Sequence, residues 1–255
     1  MSRQTPPDTV IYAIGDIHGR VDLLASIHDR ISADARRRTA QYKWVIYLGD
    51  YVSRGENSRA VVERVLQWLP EGFGRITLKG NHEDLLLRFL DGDMEAGRHW
   101  FDYGGHDTLA GYGVAIPDRQ ARDDASITAL REHLASALPI SHLEFFRSLR
   151  TSHRAGDYCF VHGGVQPGVP LPEQNEHDFM WIRKPFLDSD IDHGATIVHG
   201  HSISAQPTVR HNRIGIDTGA YRSGVLTCLV LDGATHGFLQ TDGSSPGFQR
   251  LECPL

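Results

Sequence analysis

The sequence predicts an α/β protein, with a mainly parallel sheet and a second sheet packed on it. Three observations lead there. Apolar, β-branched runs of strand length alternate three times with helical periodicity in the first part of the chain. Each of those runs stops at a polar turn that contains glycine. From Tyr158 onward strand-length apolar runs return, joined by short glycine turns. With 255 residues, 40% hydrophobic and 23% charged, the chain can bury a sizeable core, and 1–255 reads as one domain. A net charge of −6 argues against a general nucleic-acid partner, which needs a basic face. No run reaches membrane-spanning length and the first ten residues hold no apolar signal core. The expectation is therefore no membrane partner and a cytoplasmic location. Cys159, Cys228 and Cys253 are odd in number, and the first two lie in apolar runs, as expected of buried thiols in a reducing compartment.

The elements follow in order. Val10–Ile14 is a strand ending in Gly15-Asp16-Ile17-His18-Gly19, with Asp16 and His18 two apart on an extended or gently turning backbone. Val21, Leu24, Ile27 and Ile31 mark an amphipathic helix over 21–35. Trp44–Leu48 reads as a strand buried on both faces, ending at Gly49-Asp50. A helix over 58–69 is expected to be capped by Asn57 or Ser58 and stopped before Pro70. Arg75–Leu78 is a third strand, ending in Lys79-Gly80-Asn81-His82-Glu83, with a helix from Asp84 to about Leu90. Right-handed crossovers are expected to join these strands.

Residues 91–156 read as a helical insert over one rim of the sheet, with helices over 125–138 and 141–149 and glycines interrupting its earlier part. Tyr158–Val161 then ends in His162-Gly163-Gly164, and Thr196–Val198 in His199-Gly200-His201. A proline-bearing loop and the Trp181-Ile182-Arg183 segment lie between them. Arg213–Ile216 ends at Asp217, and Val225–Leu231 and His236–Leu239 follow, all expected in the second sheet.

Five strand ends thus present Asp16 with His18, Asp50, Asn81 with His82, His162, and His201. Alone, each is more commonly a polar turn or a structural histidine. Together they form a nitrogen and oxygen donor set without cysteine, suited to two adjacent divalent ions of the Mn, Fe or Zn kind.

The same residues carry a resemblance. GDIHG (15–19), GDYVSRG (49–55), GNHE (80–83), HGG (162–164) and GH (200–201) stand in the order and spacing of the phosphoprotein phosphatases, within the calcineurin-like metallophosphoesterases. The chain most resembles bacterial members of serine/threonine and tyrosine phosphatase type, over about Ile11–Gly233. IDTGA from Ile216 and LTCL from Leu226 are also similar to the symmetrical dinucleoside tetraphosphate hydrolases, a sister group. The resemblance implies a two-sheet sandwich flanked by helices, in four αββα layers. It implies two divalent ions, Mn foremost, with Asp16 and His18 on one, Asn81, His162 and His201 on the other, and Asp50 bridging. Arg54 and Arg183 would clamp phosphate oxygens beside Asn81, and His82 would be the general acid.

The activity so implied is phosphomonoester hydrolysis on a phosphorylated protein, peptide or small molecule, by a metal-activated hydroxide attacking in line, with no phosphoenzyme. Two dications less the charges of Asp16 and Asp50 leave a positive site suited to that substrate. Alternatives are symmetrical dinucleoside tetraphosphate hydrolysis and a non-catalytic binding module, which the filled ligand positions disfavour. The chain departs from the family pattern at Ser53, where an aspartate usually pairs with the acid histidine; Asp84 or Glu56 could replace it. Lys79 stands where arginine is usual. His199 is a second possible ligand beside the favoured His201, and Tyr221 lies either near the phosphate or in the core.

Overall fold

The computed structural model describes residues 3–120 and 123–242, with the backbone of 249–250. The chain opens with β1 (Thr9–Ile14), α1 (Val21–Ala35), β2 (Tyr42–Tyr47), α2 (Ser58–Gln67), β3 (Phe73–Thr77) and α3 (Asn81–Leu90). Helices α4 (Met94–Asp102), α5 (Gly105–Gly111), α6 (Asp124–Ala137) and α7 (Ile140–Ser148) follow. The rest comprises β4 (Ser152–Ala155), β5 (Tyr158–Val161), α8 (Glu176–Trp181), α9 (Lys184–Leu187), β6 (Thr196–His199), β7 (Thr208–Val209) and β8 (Arg213–Gly215). It closes with α10 (Ala220–Ser223), β9 (Thr227–Asp232), β10 (Thr235–Gln240) and β11 (Gln249–Arg250).

Alternation along the strands sets the layering. In β1, Val10, Tyr12 and Ile14 join the core beneath the helices, while Ile11 and Ala13 face the second sheet. In β5, Tyr158 and Phe160 face the first sheet, while Cys159 and Val161 pack outward against Phe179, Ile182 and Phe186. The result is helices, sheet, sheet, helices: the αββα sandwich. The first sheet has the order β11-β10-β9-β1-β2-β3, and the second β4-β5-β6-β8-β7. β1, β2 and β3 are parallel, as are β5, β6 and β8. Six parallel strands therefore send their carboxyl ends toward one edge.

Several expectations are corrected. β9 returns to the first sheet antiparallel to β1, and β10 pairs antiparallel with β9, instead of both joining the second. β9 carries Cys228 and Val230 on one face and Leu229 and Leu231 on the other, and only a strand covered on both sides buries all four. Trp44 is 36% exposed, its ring lying across Gly74 at the start of β3, so β2 is buried on both faces only from Val45. α3 begins at Asn81, which places two site residues in a first helical turn. α2 has Asn57 at its N-cap with no side-chain cap bond, and Ser58 Oγ instead accepts from the Ser53 N–H. The insert contains β4, and its helices pack against α2 and α3 and share the core beneath the first sheet. Gly97 does not interrupt it: it lies inside α4, where a Cβ would strike the Phe89 ring, whereas Gly104 in the left-handed region breaks the helical run before Gly105 opens α5 against the Trp100 ring. Cys159 and Cys228 are buried free thiols, and Cys253 lies outside the described residues. No helix among the described residues is long and apolar enough to cross a membrane.

Candidate metal centre

The site grows out of the six parallel strand ends. Asp16 and His18 follow β1, Asp50 follows β2, and Asn81 and His82 open α3 after β3. His162 follows β5, His201 follows β6 and Asp217 follows β8. Backbone bonds lace these loops together. The N–H groups of Ile17 and His18 donate to the Asp50 carbonyl at 3.0 and 2.8 Å, and that of Gly200 to the His162 carbonyl at 2.8 Å. Glu83, buried, accepts from the N–H groups of Asp50 (2.8 Å), Tyr51 (2.9 Å), Val52 (3.3 Å) and Gly80 (3.0 Å). Gly80 and Gly200 are required by close approach, since a Cβ on either would meet a carboxylate oxygen of Asp50 or Asp16.

Strain collects here. Six non-glycine residues among those described have positive φ: Asp8, His18, Asp50, Ser53, Arg54 and His201. All but Asp8 line the cleft or adjoin a lining residue. Each such residue costs about 1–3 kcal/mol and persists only where its surroundings hold it. The expected gentle turn between Asp16 and His18 is thus a sharp one, with His18 in the left-handed region.

Two donor groups share one carboxylate. His18, Asp50 and His82 bring donor atoms within 4.8 Å of one another, and so do Asp50, His162 and His201. Asp50 Oδ2 faces His18 Nε2 at 3.3 Å and His82 Nε2 at 3.9 Å, while Oδ1 faces His162 Nε2 at 3.4 Å. Each oxygen can therefore serve a different ion. His18 Nδ1 lies 2.9 Å from the Val52 carbonyl, and His162 Nδ1 2.9 Å from the Leu48 carbonyl. A carbonyl only accepts, so Nδ1 carries the proton in both rings and Nε2 is turned toward Asp50. His82 Nδ1 and His201 Nε2 are buried and make no hydrogen bond. Such buried nitrogens in a sulfur-free N/O set fit divalent ions of intermediate hardness.

The electrostatics agree. Burial pushes the pKa of His82 down to about 3 and that of His201 to about 2, and lowers His18, which favours neutral imidazoles able to ligate. Burial acts the same way on His162, but Asp50 and Asp16 outweigh it and push that pKa up to about 10. Burial also opposes ionisation of Asp50, yet His162, His82 and His18 hold its carboxyl well below the usual range. Asp16 is held well above it, by burial first and Asp217 next. Burial and the crowding of carboxylates thus oppose ionisation of Asp16 and Asp217, and a cation bound there would relieve this.

A cleft of about 400 Å³ opens over this centre. Its buried floor includes Asp16, His18, Asp50, Asn81 and His201. Arg54, Arg183 and Arg222 line it together with Tyr103, Trp181, Ile203 and Asp217. Arg183 donates to the His201 carbonyl at 3.0 Å, and the Arg54 guanidinium lies 4.7 Å over the Tyr221 ring. Tyr221 in turn stands edge-on to His18 at 5.4 Å, so it flanks the centre.

The structure brings Asp16, His18, Asp50, Arg54, Asn81, His82, His162, Arg183 and His201 together. It groups His82 with His18 and Asp50, and leaves Asp16 accepting from the His201 N–H at 3.0 Å. Asn81 Oδ1 lies 3.0 Å from His162 Nε2. His199 is in neither donor group; it donates to the Gly200 carbonyl and lies edge-on to Phe186 in the outer layer. Lys79 does not line the cleft. Asp217 went without a role in the sequence reading, although it too ends an apolar run. Arg222, Tyr103 and the clamp made by Glu83 left no local signal.

A family model for calcineurin-like phosphoesterases matches residues 9–222. An asymmetrical bis(5'-nucleosyl)-tetraphosphatase, PrpE of Oceanobacillus iheyensis, is 22% identical over 84% of this chain and 85% of its own length. A symmetrical bis(5'-nucleosyl)-tetraphosphatase of Acidovorax sp. is 33% identical, over 62% of this chain and 44% of its own length. Among solved structures, a cold-active protein tyrosine phosphatase superposes with a TM-score of 0.62 at 17% identity, covering 95% of this chain and 81% of that one. A candidate diadenosine tetraphosphatase gives 0.61 at 16% identity, covering 98% of both chains. These two likenesses concern the fold. The family match spans more than half the chain and includes all six strand ends that build the centre, so this protein belongs to the calcineurin-like phosphoesterases.

Proposed function

We propose that the protein hydrolyses a phosphoanhydride bond of a dinucleoside tetraphosphate. The observation that carries this reading is the composition of the cleft. Three guanidiniums, Arg54, Arg183 and Arg222, line one opening above two donor groups that share Asp50. A single phosphate is served by two clamps, whereas an oligophosphate chain offers anionic oxygens to all three. Divalent ions bound at these donors would activate a water and neutralise phosphate charge. Asp16, His18, Asp50, His162 and His201 would hold them, with Asn81 and His82 beside the phosphate.

The surroundings of His82 support an anhydride over an alkyl ester. Ser53 Oγ accepts from Trp100 Nε1–H at 2.9 Å, and neither Asp84 nor Glu56 hydrogen-bonds His82 Nδ1. His82 Nδ1 thus lacks the carboxylate that would hold an acid in place. A nucleotide leaves as a stable phosphate anion without a proton, whereas the alkoxide of phosphoserine needs one. The relatives support the same substrate class, and they do not support the phosphoprotein substrate first expected from the sequence. PrpE-type relatives match over most of their length, the symmetrical ones over less than half, which favours asymmetrical cleavage. An aryl phosphomonoester such as phosphotyrosine is a second reading, because a phenoxide also leaves without a strong acid.

The test is purified protein with Mn²⁺ and chromatographic product analysis on diadenosine tetraphosphate, p-nitrophenyl phosphate and a phosphoserine peptide. Diadenosine tetraphosphate should give the highest kcat/KM, yielding ATP and AMP. A phosphoserine peptide turned over faster than the dinucleotide would overturn the proposal, and two ADP would overturn only the position of cleavage.

A further inference from the structure

Aromatic rings run from the metal centre to the surface along one side of the cleft. Tyr103 stands edge-on to His82, ring centroids 6.4 Å apart, and edge-on to His99 at 4.9 Å. His99 is tilted against Trp181 at 5.9 Å, and Trp181 stacks on His177 at 5.8 Å with 11° between the planes. Tyr103 and Trp181 both line the cleft, and Tyr103 is 44% exposed. Trp181 Nε1 is buried and makes no hydrogen bond, an unusual state for an indole. Phosphate and metal chemistry makes no use of such rings. They suit a planar ligand tethered to the phosphates, held by stacking and offering an acceptor to the indole N–H.

We infer that Tyr103 and Trp181 form a nucleobase-binding subsite, resting on the reaction proposed above and setting which phosphate compounds the cleft prefers. Tyr103 packs against His82 and, through His99, against Trp181, so the rings form one connected wall of the cleft that begins beside His82, where a nucleoside joined to the phosphates would lie. Stacking on an aromatic platform is indifferent to base identity, because every base has a π-face. The subsite should therefore tolerate adenine and guanine alike while rejecting phosphates that lack a ring.

The test is equilibrium binding to the Mn²⁺-loaded protein by calorimetry, with ligands that resist hydrolysis. α,β-Methylene-ADP is compared with methylenediphosphonate, and phenylphosphonate with methylphosphonate. The nucleotide should bind at least about tenfold more tightly than the bare diphosphonate. Tyr103→Leu and Trp181→Leu should each remove most of that advantage and leave methylenediphosphonate within about twofold, while Trp181→Phe restores the part that stacking supplies and not the part that needs the indole N–H. Equal binding of the first pair, an advantage untouched by the variants, or equal loss for both ligands would overturn the subsite. A gain for phenylphosphonate as large as for the nucleotide would overturn its assignment to a base. Should Trp181→Leu fail to fold, Tyr103→Leu at an exposed position decides. Failure to cleave diadenosine tetraphosphate would sink the proposed reaction and leave this binding comparison standing.

Discussion

Asp50 turns one oxygen toward His18 and the other toward His162. Asparagine tolerates the left-handed backbone of this position but lacks the charge. Asp50→Asn should therefore fold, lose at least one equivalent of metal by elemental analysis, and fall at least about 100-fold in kcat; two full equivalents would contradict the shared role. Glu83 reaches the centre only through the backbone it holds. Glu83→Gln puts an amide donor among four N–H groups that need acceptors. Burial, with Asp50, pushes the Glu83 pKa up to about 7, so above about pH 8, where the carboxylate is charged, a loss of about 2–3 kcal/mol in urea unfolding is expected. Ser53→Asp keeps an acceptor for Trp100 and adds a carboxylate on the loop between Asp50 and Arg54. It should raise the rate on phosphoserine more than on p-nitrophenyl phosphate; an unchanged ratio of kcat/KM would show that Ser53 does not govern the leaving group.

At the scale of elements, the join between α1 and the first sheet hides a second titrating group. His28 stacks on Trp68 at 3.6 Å and accepts at Nδ1 from Arg64 Nε, which leaves Nε2–H to donate to the Tyr47 hydroxyl at 2.9 Å. That tautomer is neutral. Burial, aided by Arg64, pushes the His28 pKa down to about 3. Between pH 6.5 and 3 the unfolded chain binds a proton that the folded chain refuses. Stability is thus full above the unfolded pKa and is lost as pH falls, by on the order of 4 kcal/mol at the acid end. His28→Gln should flatten the fall in unfolding free energy between pH 6.5 and 4, measured with chelator present in both proteins so that metal loss is common to them. The glycine of α4 shows how an element can mislead: Gly97 weakens helical periodicity, yet it lets the helix meet the Phe89 ring.

At the scale of the molecule, the centre joins two sheets that touch elsewhere through apolar side chains such as Ile46, Phe160 and Leu229. Asp16 and Asp50 come from one sheet, His162, His201 and Asp217 from the other. Ions held between them bind only the folded chain. Their removal by EDTA should lower the unfolding free energy by RT ln(1 + [M]/Kd), about 2.7 kcal/mol at a metal concentration 100 times Kd. Calorimetry with and without Mn²⁺ measures this, and an unchanged Tm would show that the two groups of donors do not bind metal in solution. Much of the site is legible along the chain because each parallel strand delivers its candidate ligand at its own carboxyl end. Apolar strand, glycine and donor are neighbours in sequence.

The sequence by itself therefore determined the class of fold, the first three strands and their helices, and the donors at five strand ends, since burial periodicity and turn chemistry are written within a few residues. It did not determine where β9 and β10 would pair, because alternation fixes the faces of a strand but not its neighbours. Only the tertiary structure decided that Ser53 is bound to Trp100, 47 residues away, that Glu83 holds the Asp50 loop, and that Asp217 and Arg222 join the cleft. The Tyr103–His99–Trp181 run was settled at the same level. Such contacts form when segments far apart in the chain are brought together by packing, and no local window carries a record of them.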